Sequence, residues 1–180
     1  REHVLTRPDT YIGDIEESTE NMDIYDDDKN KIINKEIKYI PGLFKIYDEI
    51  IVNARDASEN DDTCDTIKIE YNKEENYISV YNNGQMGIPV ENHPEHKTMV
   101  PSMIFGELLT SSNYNDTEDR TTGGRNGYGS KLTNIFSNQF EVEIGDHNNG
   151  KKFKQTWKDN MSVAEKSKVT KYNKNTSYVQ

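Results

Sequence analysis

Thr121-Thr122-Gly123-Gly124-Arg125-Asn126-Gly127-Tyr128-Gly129-Ser130-Lys131 is the stretch on which the fold turns. Four glycines in seven residues lead into a helix predicted over about 130–136. Backbone N–H groups opening a helix, with Lys131 beside them, suit an anion such as a phosphate. Arg125 and Asn126 are further donors for anionic oxygens. It is not a Walker A loop, because Ser130 separates Lys131 from the last glycine. Nor is it the dinucleotide fingerprint: the spacing is Gly-x-x-Gly-x-Gly, and no βαβ unit surrounds it. From these residues alone, a plain glycine loop is the competing reading.

Outward from this loop the chain alternates helix-like and strand-like periods. Leu43, Ile46, Tyr47, Ile50, Ala54 and Ala57 recur at three- and four-residue steps and predict a helix from Pro41 to about Ser58. Pro41 suits its first turn. Ile67–Tyr71 and Tyr77–Tyr81 alternate apolar and polar around 72–76, the pattern of a β-hairpin. A second helix is expected over Val100–Leu109. Phe140–Ile144 and Lys152–Trp157 read as paired strands around 147–150, and Ser177–Val179 as a last strand. Residues 1–15 carry an apolar set broken at Arg7-Pro8-Asp9. The run Asp23–Asn34, acidic then basic, reads as a solvated hairpin loop. Short connections make the class α+β with mostly antiparallel strands.

Composition limits the core. Of 180 residues, 32% are hydrophobic and 30% charged, and Leu, Ile, Val and Phe together number 36, at the border of the disordered class. The chain is either a sparsely cored domain or a fragment that something else completes. A formal charge of −10 argues against this segment gripping a nucleic-acid backbone by itself. No apolar stretch approaches the roughly 20 residues that span a bilayer, so no membrane role is expected. The single Cys64 excludes an internal disulfide and favours a reducing compartment. The four histidines show no ligand spacing with Cys or acids, and no zinc site is expected from them.

Two further stretches carry chemistry. Glu49, Asn53 and Asp56 step by four and three residues and share one side of the first helix. A carboxylate there can take a proton from water, and an amide oxygen one turn on can ligate a hard cation such as Mg²⁺. Asp56 can accept hydrogen bonds from a ligand or hold the amide. An ordinary amphipathic helix edge has the same spacing. Asn82-Asn83-Gly84-Gln85-Met86-Gly87-Ile88-Pro89 leaves a strand into a glycine turn, where a ligand can approach the main chain. Asn82 can meet a purine's exocyclic amine; a simple Asn-Gly turn is the alternative.

Together these segments resemble the nucleotide-binding fold shared by DNA gyrase, the Hsp90 chaperones, histidine kinases and the MutL repair proteins, and most closely type IIA, eukaryotic-type DNA topoisomerase II. The residues that carry the resemblance run from Glu2 to about Met161. They are the run Glu2–Gly13, the run Pro41–Ala54, Ile104–Tyr114, the glycine loop, Leu132, Asn134–Ser137, Phe153–Trp157 and Asp159-Asn160-Met161. The resemblance implies a Bergerat-type two-layer sandwich, with helices on one face of a mostly antiparallel mixed sheet. It implies ATP and Mg²⁺ as cofactors. Glu49 resembles the base that activates the attacking water, Asn53 the Mg²⁺ ligand and Asn82 the adenine reader. Ser111, Ser112 and Asn113 resemble ribose and phosphate contacts. Thr122 and the run Gly124, Arg125, Asn126, Gly127, Tyr128, Gly129, Ser130 and Lys131 resemble the phosphate-wrapping lid. Thr176 matches a Thr beneath the adenine.

The resemblance also implies that residues 1–180 are one nucleotide-binding subdomain. A second, transducer subdomain with its γ-phosphate lysine would lie outside this chain. It implies a homodimer on ATP binding, DNA contacts through other parts of the protein, and a nuclear location, with cytoplasmic and viral homes left open. Two departures stand out. Gln85 and Met86 lie between the glycines of the adenine turn, where relatives have one residue. Ala57 stands where relatives often have Asn, so an amide contact is lost or supplied by a neighbour such as Ser58. Alternatives are a chaperone-like or mismatch-repair ATPase, or a nucleotide-dependent dimerisation module without efficient turnover. As an isolated fragment, the chain is expected to bind adenine nucleotide weakly, remain largely monomeric and hydrolyse slowly.

Overall fold

The computed structural model describes residues 1–108 and 128–180. Two short helices, α1 (Glu2–Thr6) and α2 (Pro8–Tyr11), divide at Arg7-Pro8. A hairpin follows, β1 (Ser18–Asp26) with β2 (Lys31–Tyr39), then the long helix α3 (Pro41–Asn60). Next come β3 (Ile67–Asn72), β4 (Tyr77–Gly84), α4 (Val100–Gly106) and α5 (Gly129–Ile135). The chain ends with β5 (Gln139–Asp146), β6 (Lys151–Lys158), β7 (Val163–Ala164), β8 (Lys168–Lys171) and β9 (Ser177–Val179).

The main sheet runs β3-β4-β9-β5-β6-β7, and β8 also pairs with β6. Every pairing among the described strands is antiparallel, so the mixed character expected of the sheet is not seen there. The three-residue β9 joins the two hairpins: Val179 pairs with Asn82 of β4 and with Ile144 of β5. The helices lie on one face. Val90, Phe105, Val142, Ile144, Phe153 and Trp157 form a core between α4 and the β5–β6 half of the sheet. Val4, Ile12, Ile46, Leu132 and Ile135 form a second core among the helices.

Local sequence explains most of these elements. Proline at 41 holds Ile40 extended, at φ −106 and ψ 109, and seats itself in the first turn of α3. Gly42 fits under Ile12, whose Cδ1 would lie 3.0 Å from a Cβ there, and its N–H donates to Asp14 O at 2.8 Å. The β5–β6 turn is held by the buried Asp146 carboxylate, which accepts N–H bonds from Val90 at 2.7 Å and Asn149 at 3.1 Å. Cross-strand pairs Lys152–Glu143 and Lys154–Glu141, both at 2.8 Å, fix the same hairpin.

The small helix α5 is the hub. Thr133 Oγ1 donates to Ile46 O of α3 at 2.9 Å, and Asn134 Nδ2 to Phe105 O of α4 at 2.9 Å. Asn160 Nδ2 donates to Ile135 O at 2.8 Å and so satisfies an end carbonyl. Asn160 sits in a run of three residues, Asp159, Asn160 and Met161, with φ of 52, 57 and 61.

One expectation needs correcting. The run Asp23–Asn34 is not mainly loop: nine-residue strands pair from Ser18↔Tyr39 to Asp26↔Lys31, leaving only 27–30 as the turn. Met22 and Ile24, with Ile33 and Ile37, supply the alternation that the surrounding charges obscure.

Candidate active site

Helix α3 sets a line of groups along the edge of a groove. From Glu49 to Ala57 the axial rise is ~12 Å, comparable to an extended nucleoside triphosphate. At the lower end, Glu49 Oε1 pairs with Lys45 Nζ at 2.6 Å. Its carboxylate pushes the Lys45 pKa up, partly opposed by burial, so the ammonium stays charged. Asn53, one turn on, is exposed and lines the groove with Ala54 and Ala57.

Across from Glu49 stands Gly129, the first residue of α5. A Cβ on Gly129 would overlap Glu49 Oε2 and lie 2.9 Å from its Cδ and 3.1 Å from its Cβ. The backbone that leaves the glycine loop therefore passes directly over the carboxylate, and only glycine leaves room. Two segments 80 residues apart in the chain thus meet at one point. Ser130 and Lys131 follow, both buried. Burial lowers the Lys131 pKa, and the nearby Glu107 carboxylate partly offsets this.

The upper end of the groove is a small pocket between the end of α3, β4 and β9. Ala57, Asp61, Asn82, Met86, Ser177 and Val179 are among the residues lining it. Adjacent asparagines divide their work here. Asn83 is committed: Oδ1 accepts the Thr66 N–H at 2.9 Å and Nδ2 donates to Asp65 at 2.7 Å. Asn82 Nδ2 makes one long contact to Asn83 O, at 3.5 Å, and its side chain hydrogen-bonds the Cys64 thiol. Its amide is less committed than that of Asn83, and it lines the pocket.

Asp61 has a role that sequence reasoning missed. It is 7% exposed. Its carboxylate accepts from the Thr63 hydroxyl, from Thr63 N–H at 2.9 Å and from Met86 N–H at 2.7 Å. These donors, the Thr63 hydroxyl first, hold its pKa below the ordinary carboxylate value. Gly84, at φ +149, brings the turn so close that a Cβ would overlap Asp61 Oδ2. The only sequence signal was the acidic cluster after α3, which does not point to a turn more than twenty residues away.

Other expected residues fall differently. Asp56 is half-buried on α3 but is not among the groove-lining residues. The Ser58 hydroxyl donates to Arg55 O at 2.7 Å, and Asn60, which lines the pocket, donates through Nδ2 to Asp56 O at 2.7 Å. Thr176 stands just before β9 and outside the pocket lining, with its hydroxyl on Ser177 O at 3.3 Å. Ser177, Tyr178 and Val179 line the pocket there. Tyr128 is half-buried and immediately precedes α5. Ser111, Ser112, Asn113, Thr122, Gly124, Arg125, Asn126 and Gly127 lie outside the described residues. Away from the groove, a tight turn brings His93, Glu95 and His96 ligand atoms within 4.8 Å of one another, where the sequence spacing suggested no grouping. His93 Nδ1 already faces the Glu95 and His96 N–H groups there, at 3.3 and 3.4 Å.

Residues 39–161 match the model of the histidine kinase-, DNA gyrase B- and HSP90-like ATPases. The chain belongs to this ATPase family. It is 56% identical over 179 residues to DNA topoisomerase 2 of Plasmodium falciparum, covering 96% of this chain and 13% of that protein. It superposes on the crystal structure of the ATPase region of Saccharomyces cerevisiae topoisomerase II with a TM-score of 0.93 and 49% identity, over 99% of this chain and 47% of that one. The ATPase and transducer domains of Balamuthia mandrillaris topoisomerase II match with a TM-score of 0.91 and 46% identity, over 99% of this chain and 46% of that one. The chain spans about an eighth of the length of the curated relatives it matches. Among the described residues, no helix is long and apolar enough to cross a membrane.

Proposed function

We propose that this chain is the ATP-binding and ATP-hydrolysing part of a type II DNA topoisomerase. The observation that carries the proposal is the meeting of Glu49 with Gly129 on the helix whose Asn53, Ala54 and Ala57 line the groove that Asn82 also lines. Adenine occupies the upper pocket, with its amine on Asn82 and its underside on Ser177 and Val179. The triphosphate runs down α3 toward Glu49 and Gly129, with Lys131 as a phosphate contact. Asp56 supports this line from the half-buried side of α3.

At the lower end, Glu49 acts as the general base that takes a proton from the attacking water. The Lys45 pair, at 2.6 Å, restrains the carboxylate. The donors present fit Mg²⁺: an exposed Asn53 amide oxygen one turn from a carboxylate is a hard-oxygen set with room for waters. When bound there, the ion neutralises phosphate charge; Asn53 holds it and Glu49 remains free for the water.

Residues 1–180 form the nucleotide-binding subdomain, and a transducer subdomain belongs to the longer protein. Support comes from apolar surface left open on this chain: Phe44 is 59% exposed, and Ile69 and Tyr71 on the edge strand β3 are similarly open. In the longer protein, ATP binding closes a homodimeric gate, and the DNA contacts lie outside this acidic segment. A nuclear location follows from the same assignment.

The test is ATP turnover by the full-length protein carrying Glu49→Gln, which keeps the volume and removes the base. The expected loss in kcat is ~10²–10⁴-fold, with ADP affinity little changed. An unchanged kcat would show that Glu49 is not the base.

A further inference from the structure

Gln85 and Met86 have no place in the roles assigned so far. Residues between two glycines in an exposed turn ordinarily form a loose loop. Here the turn is held from two sides. On the α3 side, Gln85 N–H donates to Thr63 Oγ1 at 2.8 Å and Met86 N–H to the buried Asp61 carboxylate at 2.7 Å. On the β9 side, Gln85 Nε2 donates to Asn175 O at 2.8 Å, and Asn148 Nδ2 to Gln85 O at 3.0 Å. All of the turn's pinning thus falls on Gln85 and on the Met86 backbone.

The Met86 side chain is left over. It is 74% exposed, the most open of the large hydrophobic side chains among the described residues, yet it lines the same pocket as Asn82. Just beyond it, Gly87 packs so closely on the Ser177 side of the pocket that a Cβ there would lie 2.8 Å from Ser177 Cβ. The turn therefore cannot collapse inward and bury the methionine in the free protein. An unbranched thioether on a rigid rim is suited to covering an aromatic face, through apolar burial and sulfur–π contact.

We propose that Met86 is a binding residue for the adenine base: it closes the outer side of the base pocket and is buried by the base on binding. Asp61, which also lines the pocket, and Thr63 position it through the turn. This inference rests on the adenine pocket proposed above. Because Met86 contacts the base and not the phosphates, its contribution is the same for adenosine, ADP and ATP and zero for tripolyphosphate.

The experiment is calorimetric titration of full-length protein, wild type, Met86→Ala and Met86→Leu, with adenosine, ADP and tripolyphosphate. The exposed side chain can be truncated without opening a core cavity, so folding is preserved, and a thermal melt checks this. Met86→Ala should weaken adenosine and ADP by the same factor, about tenfold, leave tripolyphosphate unchanged, and be largely rescued by Met86→Leu. ADP binding within twofold of wild type in Met86→Ala overturns the assignment of Met86 alone. Failure of the wild type to bind adenosine or ADP overturns the adenine pocket itself. An equal loss for tripolyphosphate and ADP also refutes the base contact, because it would place the effect on the phosphates.

Discussion

Adding one methyl group at Gly129 should abolish most turnover without unfolding the protein. The new Cβ would overlap Glu49 Oε2 and sit 2.9 Å from Cδ and 3.1 Å from Cβ of that side chain. Carbon–carbon contacts are comfortable at roughly 3.5–4.0 Å, so the carboxyl carbon must retreat by about 0.6–1 Å and rotate its oxygen clear. Glu49 is partly exposed, with 24% of its side chain open, so it has somewhere to go. The fold therefore loses only ~1–3 kcal/mol, the usual cost of overpacking. The chemistry loses more: a misplacement of about 1 Å in a reacting group costs on the order of 10²-fold in rate. Steady-state ATP hydrolysis by full-length Gly129→Ala should show that drop in kcat, with ADP affinity changed less than threefold. Adding Gly129→Ala to Glu49→Gln should cost little more, because both act on one group. A Gly129→Ala protein with wild-type kcat would mean that the Glu49 carboxylate does not work from beneath the loop.

Three further outcomes follow from other parts of the structure. Asn53→Ala should raise the Mg²⁺ concentration needed for half-maximal turnover at least about tenfold while leaving Mg²⁺-free ADP binding intact, as metal titrations of the rate would show. Asp61 and Asp146 both have folded-state pKa values below the ordinary one: at Asp146 burial pushes the carboxyl up, but the Val90 and Asn149 donors together outweigh it. Their contribution to stability is complete above the unfolded value of ~3.9 and is lost as pH falls through the lower folded values, so melting temperature should fall steeply only in acid, and Asp146→Asn should flatten that fall. Gly106→Ala would place a Cβ 2.6 Å from Trp157 Nε1 and 2.8 Å from its Cζ2, costing ~1–3 kcal/mol and shifting the emission of the single tryptophan.

The parts legible in the sequence are those whose period is local. Helix α3 was visible because Leu43, Ile46, Ile50 and Ala54 repeat on one side, and the β3–β4 and β5–β6 hairpins because their strands alternate. Strands β7 and β8 were not, since Val163-Ala164 and Lys168–Lys171 are short, exposed and paired only through β6. In the site, residue type and spacing raised Glu49, Asn53 and Asn82 as candidates beside blander readings, the family resemblance gave them roles, and their mutual placement needed the fold. The Asp61 grip on Met86 spans 25 residues and leaves no local pattern. Thr176 lies one residue before β9 and Ser177 opens it opposite Gly84, a one-residue difference that no local pattern reveals.

The most direct measurement is a crystal structure of the full-length protein's ATPase region with Mg²⁺ and a non-hydrolysable ATP analogue. The adenine amine should lie within hydrogen-bond reach of Asn82, with the base between Met86 and the Ser177–Val179 strand. The γ-phosphate should lie beside Glu49 and Gly129, with Asn53 on the metal. A nucleotide bound elsewhere, or one whose base points toward Glu49 and whose phosphates point toward Asn82, would contradict the assignment of this groove.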